Sequence, residues 1–166
     1  MKRIIKVALI LSLVILIPPI AVYAVSVLTV TVPGSVTVVS SSPGLEVLGY
    51  SGTFPSGSCN STQITSLPFS NVLQGQSQTV YVCLEDTGGA TYFFTGSSLN
   101  TNLASAIGTL SPSYYIGASS SSTSPPIQMV YGNEIVAGLL LTIQGTATTG
   151  TASFSVNFQV FSTSTG

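Results

Sequence analysis

Histidine and tryptophan are absent from this 166-residue chain, and charge is scarce: three Lys or Arg against four Asp or Glu. The three cations, Lys2, Arg3 and Lys6, all lie at the extreme N-terminus. Each shortage excludes something. Without histidine, general acid–base catalysis loses its commonest agent. No nucleophile elbow occurs among the many Ser and Thr residues, and no base is present to activate one. The chain therefore reads as a non-enzyme with no cofactor. A body without Lys or Arg has nothing to displace counterions from phosphates, which excludes nucleic acid. It has no basic patch for anionic lipid either. Two cysteines without histidine cannot complete a structural zinc site.

The N-terminus supplies a reason for the missing cations. Lys2, Arg3 and Lys6 precede an apolar run from Val7 to Ile17, Pro18-Pro19 breaks it, and Val22-Tyr23-Ala24 places small residues for cleavage. This is the layout of a secretory signal peptide over residues 1–24, cut after Ala24. An uncut run to Val25 would be long enough to span a bilayer. A retained pilin helix is a further alternative, but the proline pair interrupts it and no glutamate follows the basic cluster. Cleavage leaves a mature chain with no Lys, Arg or His, whose only charged side chains are Glu46, Glu85, Asp86 and Glu134. Such a surface responds little to acid. It suits a glycan coat or burial against other subunits.

What the chain has in abundance is Val, Thr, Ser and aromatic residues in short alternating runs. Disordered chains are charge-rich and poor in β-branched and aromatic residues. Strand patterns cover Val25–Val32, Ser35–Ser40 with Val36 and Val38 on one face, Leu45–Tyr50, Gln78–Glu85, Thr91–Thr95, Ile127–Tyr131 and Glu134–Ile143. Phe154, Val156, Phe158 and Val160 alternate with polar residues in period two. Ser41–Gly44, Asp86–Gly89, Gly132-Asn133 and Thr146–Gly150 read as turns, the second as a hairpin between its flanking strands. Ser51–Gln63 and Ser119–Pro126 read as loops, Ile64–Phe69 is a weak segment, and Leu99–Ile107 has room for one or two helical turns with Asn100 or Thr101 as N-cap. About seven to nine short strands predict an all-β, jelly-roll-like β-sandwich over residues 35–166.

Cys59 and Cys83 are the only cysteines and, in an exported chain, form one disulfide. Two buried thiols are the alternative. Asn60-Ser61-Thr62 is an N-glycosylation acceptor, with Asn60 as the attachment point. Glu85 and Asp86 read as turn carboxylates. A weak calcium site using them with Glu134 is an alternative, but the composition favours no metal. A paired-carboxylate glycosidase site is a more distant one. Tyr114-Tyr115 would suit stacking on a sugar or packing at a sheet edge.

The strand at 25–32 begins where the signal peptide ends. Pro33-Gly34 hinges it to the rest, so residues 25–34 form a strand and hinge. Val25, Val27, Leu28, Val30 and Val32 make it strongly apolar, with no charge or proline inside it, an aggregation hazard if left open. A neighbouring subunit could accept it as a donor strand, through ladder hydrogen bonds and side-chain pockets. Such a contact is head-to-tail and propagates. The acceptor groove would be lined by the strands at 78–85, 134–143 and 153–161.

A signal peptide ending "AVYA", an immediate "VSVLTVTV" strand, a Ser/Thr-rich β-domain and a terminal "ASFSVNFQVFS" strand together resemble archaeal extracellular filament subunits. These are the bundling-pilus and thread type, related in fold to the bacterial biofilm-fibre protein TasA. The resemblance implies a jelly-roll subunit whose N-terminal donor strand inserts into the next subunit. It implies a secreted, cell-surface homopolymer serving cell–cell cohesion, adhesion or biofilm, with N-linked glycan and no contact with the bilayer after cleavage. The competing expectations are a monomeric cell-surface carbohydrate-binding or adhesin sandwich, and a viral coat or sheath protein.

Overall fold

The computed structural model describes residues 31–32, 34–40 and 44–165. Twelve strands run through them, and none of the described residues is helical. They are β1 Thr31–Val32, β2 Gly34–Ser40, β3 Leu45–Ser51, β4 Ser58–Gln63, β5 Val72–Leu73 and β6 Ser77–Asp86. Then come β7 Tyr92–Phe94, β8 Leu99–Thr101, β9 Gly108–Ile116, β10 Ile127–Met129, β11 Glu134–Ile143 and β12 Ala152–Phe158. The protein is all-β.

One layer is a five-stranded sheet in the order β4-β3-β6-β11-β9, antiparallel throughout. The facing layer contains the three-stranded sheet β2-β12-β8. Its middle strand β12 pairs antiparallel with β8 and parallel with β2, so Phe154 stands beside Val36 and Val156 beside Val38. The β7–β10 ribbon joins this layer through reciprocal backbone bonds between Phe93 and Phe161, 2.7 and 2.9 Å.

Period-two patterning explains the core between the layers. On β6, Val80, Val82 and Leu84 point inward, and on β11 Ile135, Ala137, Leu139, Leu141 and Ile143 do the same. From the opposite layer come Val36 and Val38 of β2 and Phe154, Val156 and Phe158 of β12. Phe94 and Met129 close one side of this core. On the opposite face only the middle is covered, at Cys83, Val136 and Gly138, while Ser77, Thr79, Glu134 and Leu140 are exposed.

Several expectations are corrected. The turn at Asp86–Gly89 does not close a hairpin: β6 pairs with β3 and β11, and β7 with β10. The chain instead leaves one layer for the other. The turn's hydrogen bonds run outside a hairpin ladder, Thr87 N–H donating to Gly44 O (2.6 Å) and Gly132 N–H to Asp86 O (2.8 Å). Leu99–Ile107 has no helical turn: Leu99–Thr101 is ladder-bonded to β12, and only Ala104–Gly108 coils, as a tight turn. Ser51–Gln63 is not wholly loop, since Ser58–Gln63 is the edge strand β4. Ser119–Pro126 is irregular as expected but is pinned to β9 by Thr123 N–H donating to Tyr114 O (2.7 Å).

Candidate functional site: the outer face of the five-stranded sheet

The face of the five-stranded sheet that points away from the core carries three rows of side chains set by strand register. In the first, Glu46 of β3, Glu85 of β6 and Glu134 of β11 are direct cross-strand neighbours. The second is Leu48, Cys83, Val136 and Tyr115, in register from β3 to β9. The third holds Tyr50 and Tyr81, with Gly138 directly opposite Tyr81. A Cβ on Gly138 would lie 2.9 Å from Tyr81 Cε1, so this glycine makes room for the ring.

Register alone does not complete the aromatic group. Phe54, from the segment joining β3 to β4, folds back over the face and stacks on Tyr81, with centroids 4.8 Å apart and planes at 12°. It also meets Tyr115 at 4.3 Å and Tyr50 at 6.2 Å. Burial raises the Tyr81 phenol above its ordinary value, with smaller contributions from Tyr115 and Tyr50. The turn that returns Phe54 depends on two glycines. Gly52 sits at φ +97°, and Gly57 packs so closely that a Cβ would fall 2.4 Å from Tyr50 Cε1.

Cys59 and Cys83 are joined as a disulfide. It links edge strand β4 to β6 across β3 and is part of this outer-face cluster, with Cys83 fully buried. Asn60 follows directly. Leu48 is opposite Gln63 and Tyr50 opposite Cys59, so Gly49 alone faces Asn60, Ser61 and Thr62. The glycosylation motif is thus an exposed bulge on the rim of the sheet, not a loop.

Between Tyr50, Gly57, Ser58 and Cys59 on one side and Gly117 and Ala118 on the other lies an open pocket of about 340 Å³. Val136 and Glu134 also line it. The Tyr50 hydroxyl and the Asp86 Oδ2 atom are buried without a hydrogen-bond partner. Asp86 is 1 % exposed and faces the opposite side of the sheet from Glu85, its Oδ1 accepting from Gly88 N–H (2.9 Å). The reading of both as solvated turn carboxylates therefore fails for Asp86, which buries its side chain to cap the turn. Among the described residues, no group of three His, Cys, Asp or Glu is placed to hold a metal ion.

Tyr114 and Tyr115 separate, as neighbours on a strand must. Tyr114 packs in the core edge-on to Phe94 at 4.8 Å, and burial pushes its phenol up to about 12. It is closed to a sugar, whereas Tyr115 belongs to the outer cluster. Of the residues expected to form a donor strand, Val25, Val27, Leu28 and Val30 lie outside the described residues, as does the expected signal peptide at 1–24. Val32 lies in β1, in register with Val72. The strands assigned to an acceptor groove are not sheet edges: β6 lies between β3 and β11, β11 between β6 and β9, and β12 between β2 and β8. Only β11 is paired along its length on both sides; among the described residues β3 pairs with Val82–Asp86 of β6 alone and β8 with Val156–Phe158 of β12 alone.

Sequence reasoning missed Phe54 and the pocket, since a loop phenylalanine carries no periodic signal. Tyr81 was legible as a ring alternating with inward valines. In comparisons with known proteins, the chain matches no family model, no curated protein and no solved structure.

Proposed function

We propose that the chain is a non-catalytic structural subunit of an extracellular filament, which polymerises by lending its N-terminal strand to a neighbour. The observation that carries this reading is where the described end of the leading segment sits, at the rim of its own domain. The described end of the apolar 25–32 stretch, Thr31–Val32, meets its own domain through a two-residue ladder to β5. The next strand, β2, is ladder-bonded on one side to β12 and, among the described residues, meets a single bridge, Thr37 to Ser66, on the other. An N-terminal segment attached at the rim can exchange into an identical rim on the next copy while keeping the same kind of contact. Since β11 has both neighbours along its length, the acceptor in this reading is a rim position or one of the one-sided stretches of the groove strands, Ser77–Tyr81 of β6 or Ala152–Ser155 of β12.

The disulfide fits an oxidising compartment. The near-absence of charge fits a surface covered by other subunits or by glycan. Burying the four or five aliphatic side chains of residues 25–32 would contribute roughly 6–15 kcal/mol before ordering costs. The jelly-roll arrangement and the roles in cohesion or biofilm belong to the same proposal.

The test is Val30→Asp in the mature protein. Folded monomers with an unchanged melting curve and no filaments are expected. Filaments of parental length, or an unfolded subunit, would refute donation through residue 30.

A further inference from the structure

We infer that the pocket above Val136 is a binding subsite for a neutral saccharide. This stands apart from the filament reading, because none of the described residues from Thr31 to Ser40 lines the pocket.

The argument begins with shape. A volume of about 340 Å³, open on one side, lies at the small end of ligand pockets and accepts a pyranose ring or two. Its apolar surface comes from the side chain of Val136 and the ring of Tyr50. That ring is fixed in place, since the Gly57 backbone, which also lines the pocket, closes on it and Phe54 and Tyr81 pack against it. A wall fixed in this way loses little freedom when a ligand stacks on it. The C–H face of a sugar ring is the complementary surface.

The polar groups select within that class. Glu134 is exposed at the rim, and no Lys, Arg or His occurs in the chain after Lys6 to neutralise it. A free carboxylate accepts charge-assisted hydrogen bonds from vicinal hydroxyls. Ser58 adds a hydroxyl and Gly117 backbone groups to the lining. Phosphorylated, sulfated or uronic ligands would meet Glu134 with Glu85 directly beside it across the strands, an unfavourable approach. A quaternary ammonium ligand would be attracted by Glu134 but, having no hydrogen-bond donor or acceptor, could use neither the Ser58 hydroxyl nor the Gly117 backbone groups. Hydroxyl-rich and uncharged is the chemistry left.

The experiment uses full mature protein carrying Asn60→Gln, so that no attached glycan competes. Calorimetric titration with methyl α-mannoside, lactose and N-acetylglucosamine is run beside choline and inorganic phosphate. At least one sugar is expected to bind saturably, with choline and phosphate silent. Glu134→Gln should weaken that binding about tenfold, and Ala118→Phe, which fills the pocket from an exposed position, should abolish it. Both variants should melt like the parent. No saturable binding by any sugar, binding by choline or phosphate instead, or sugar binding that survives both substitutions would each overturn the assignment.

Discussion

Replacing Cys59 and Cys83 together by alanine isolates what the crosslink does for this sandwich. The two residues are 24 apart in sequence, so the bond closes a loop of about 25 residues in the unfolded chain. Chain entropy assigns such a loop about 3.5 kcal/mol. Packing adds to this: Cys83 is fully buried between Leu48 and Val136, and exchanging its sulfur for hydrogen leaves a gap of roughly 1 kcal/mol. The expected loss is about 4–5 kcal/mol, which for a domain of this size lowers the melting temperature by about 10–15 °C. Urea titration with calorimetry on the parent, the double variant and the reduced parent is the assay. Both perturbed forms should lose stability, and their near-UV tyrosine signal should weaken, because the disulfide anchors the Phe54 return over Tyr81. A loss under about 1 kcal/mol would refute the reasoning, as it would mean that β4 is held by its edge pairing to β3 alone.

Other substitutions test separate parts of the structure. Gly138→Val should cost about 1–3 kcal/mol by urea unfolding, since its Cβ meets Tyr81 at 2.9 Å and that ring is pinned by Phe54. The cost should shrink in a Phe54→Ala background, and a larger cost there would contradict the pinning. Tyr114 gives an alkaline signature. Its phenol is raised to about 12 in the fold, so its contribution is whole below about pH 10 and is lost as pH rises through 12, a fall of about 2–3 kcal/mol. Urea midpoints at pH 9 and pH 11.5 should show most of this decline, and Tyr114→Phe should flatten it; an equal decline in that variant would count against the assignment. Intact-mass analysis from a glycosylating host should place glycan on Asn60 and lose it in Thr62→Ala, whereas an unmodified parent would show that the bulge is not an acceptor.

The sequence made some of this structure legible and hid the rest for identifiable reasons. Period two on Phe154, Val156, Phe158 and Val160 marked β12 because one of its faces meets the core and the other is partly wet. The run through β11 was clear because its inner face is wholly apolar and the middle of its outer face, at Val136 and Gly138, is buried as well. Strand β9 was hidden by Pro112, which reads as a strand breaker but is tolerated on the sheet's outer edge, opposite Leu139. Strand β4 was hidden by its polar, exposed residues. Turn signals at Asp86–Gly89 marked a reversal without saying which layer the chain enters next, and a buried aspartate was the unread clue. The outer aromatic face was half legible. Tyr81 and Cys83 show in the alternation of β6, but only tertiary folding brings Phe54 onto them.

Strand donation is tested most directly by electron microscopy of the mature protein beside a version lacking residues 25–32, with mass spectrometry of the N-terminus from the same preparations. The account predicts filaments from a chain that begins at Val25, and folded monomers without filaments from the shortened chain. Well-folded monomers from both, or filaments from both, would contradict it.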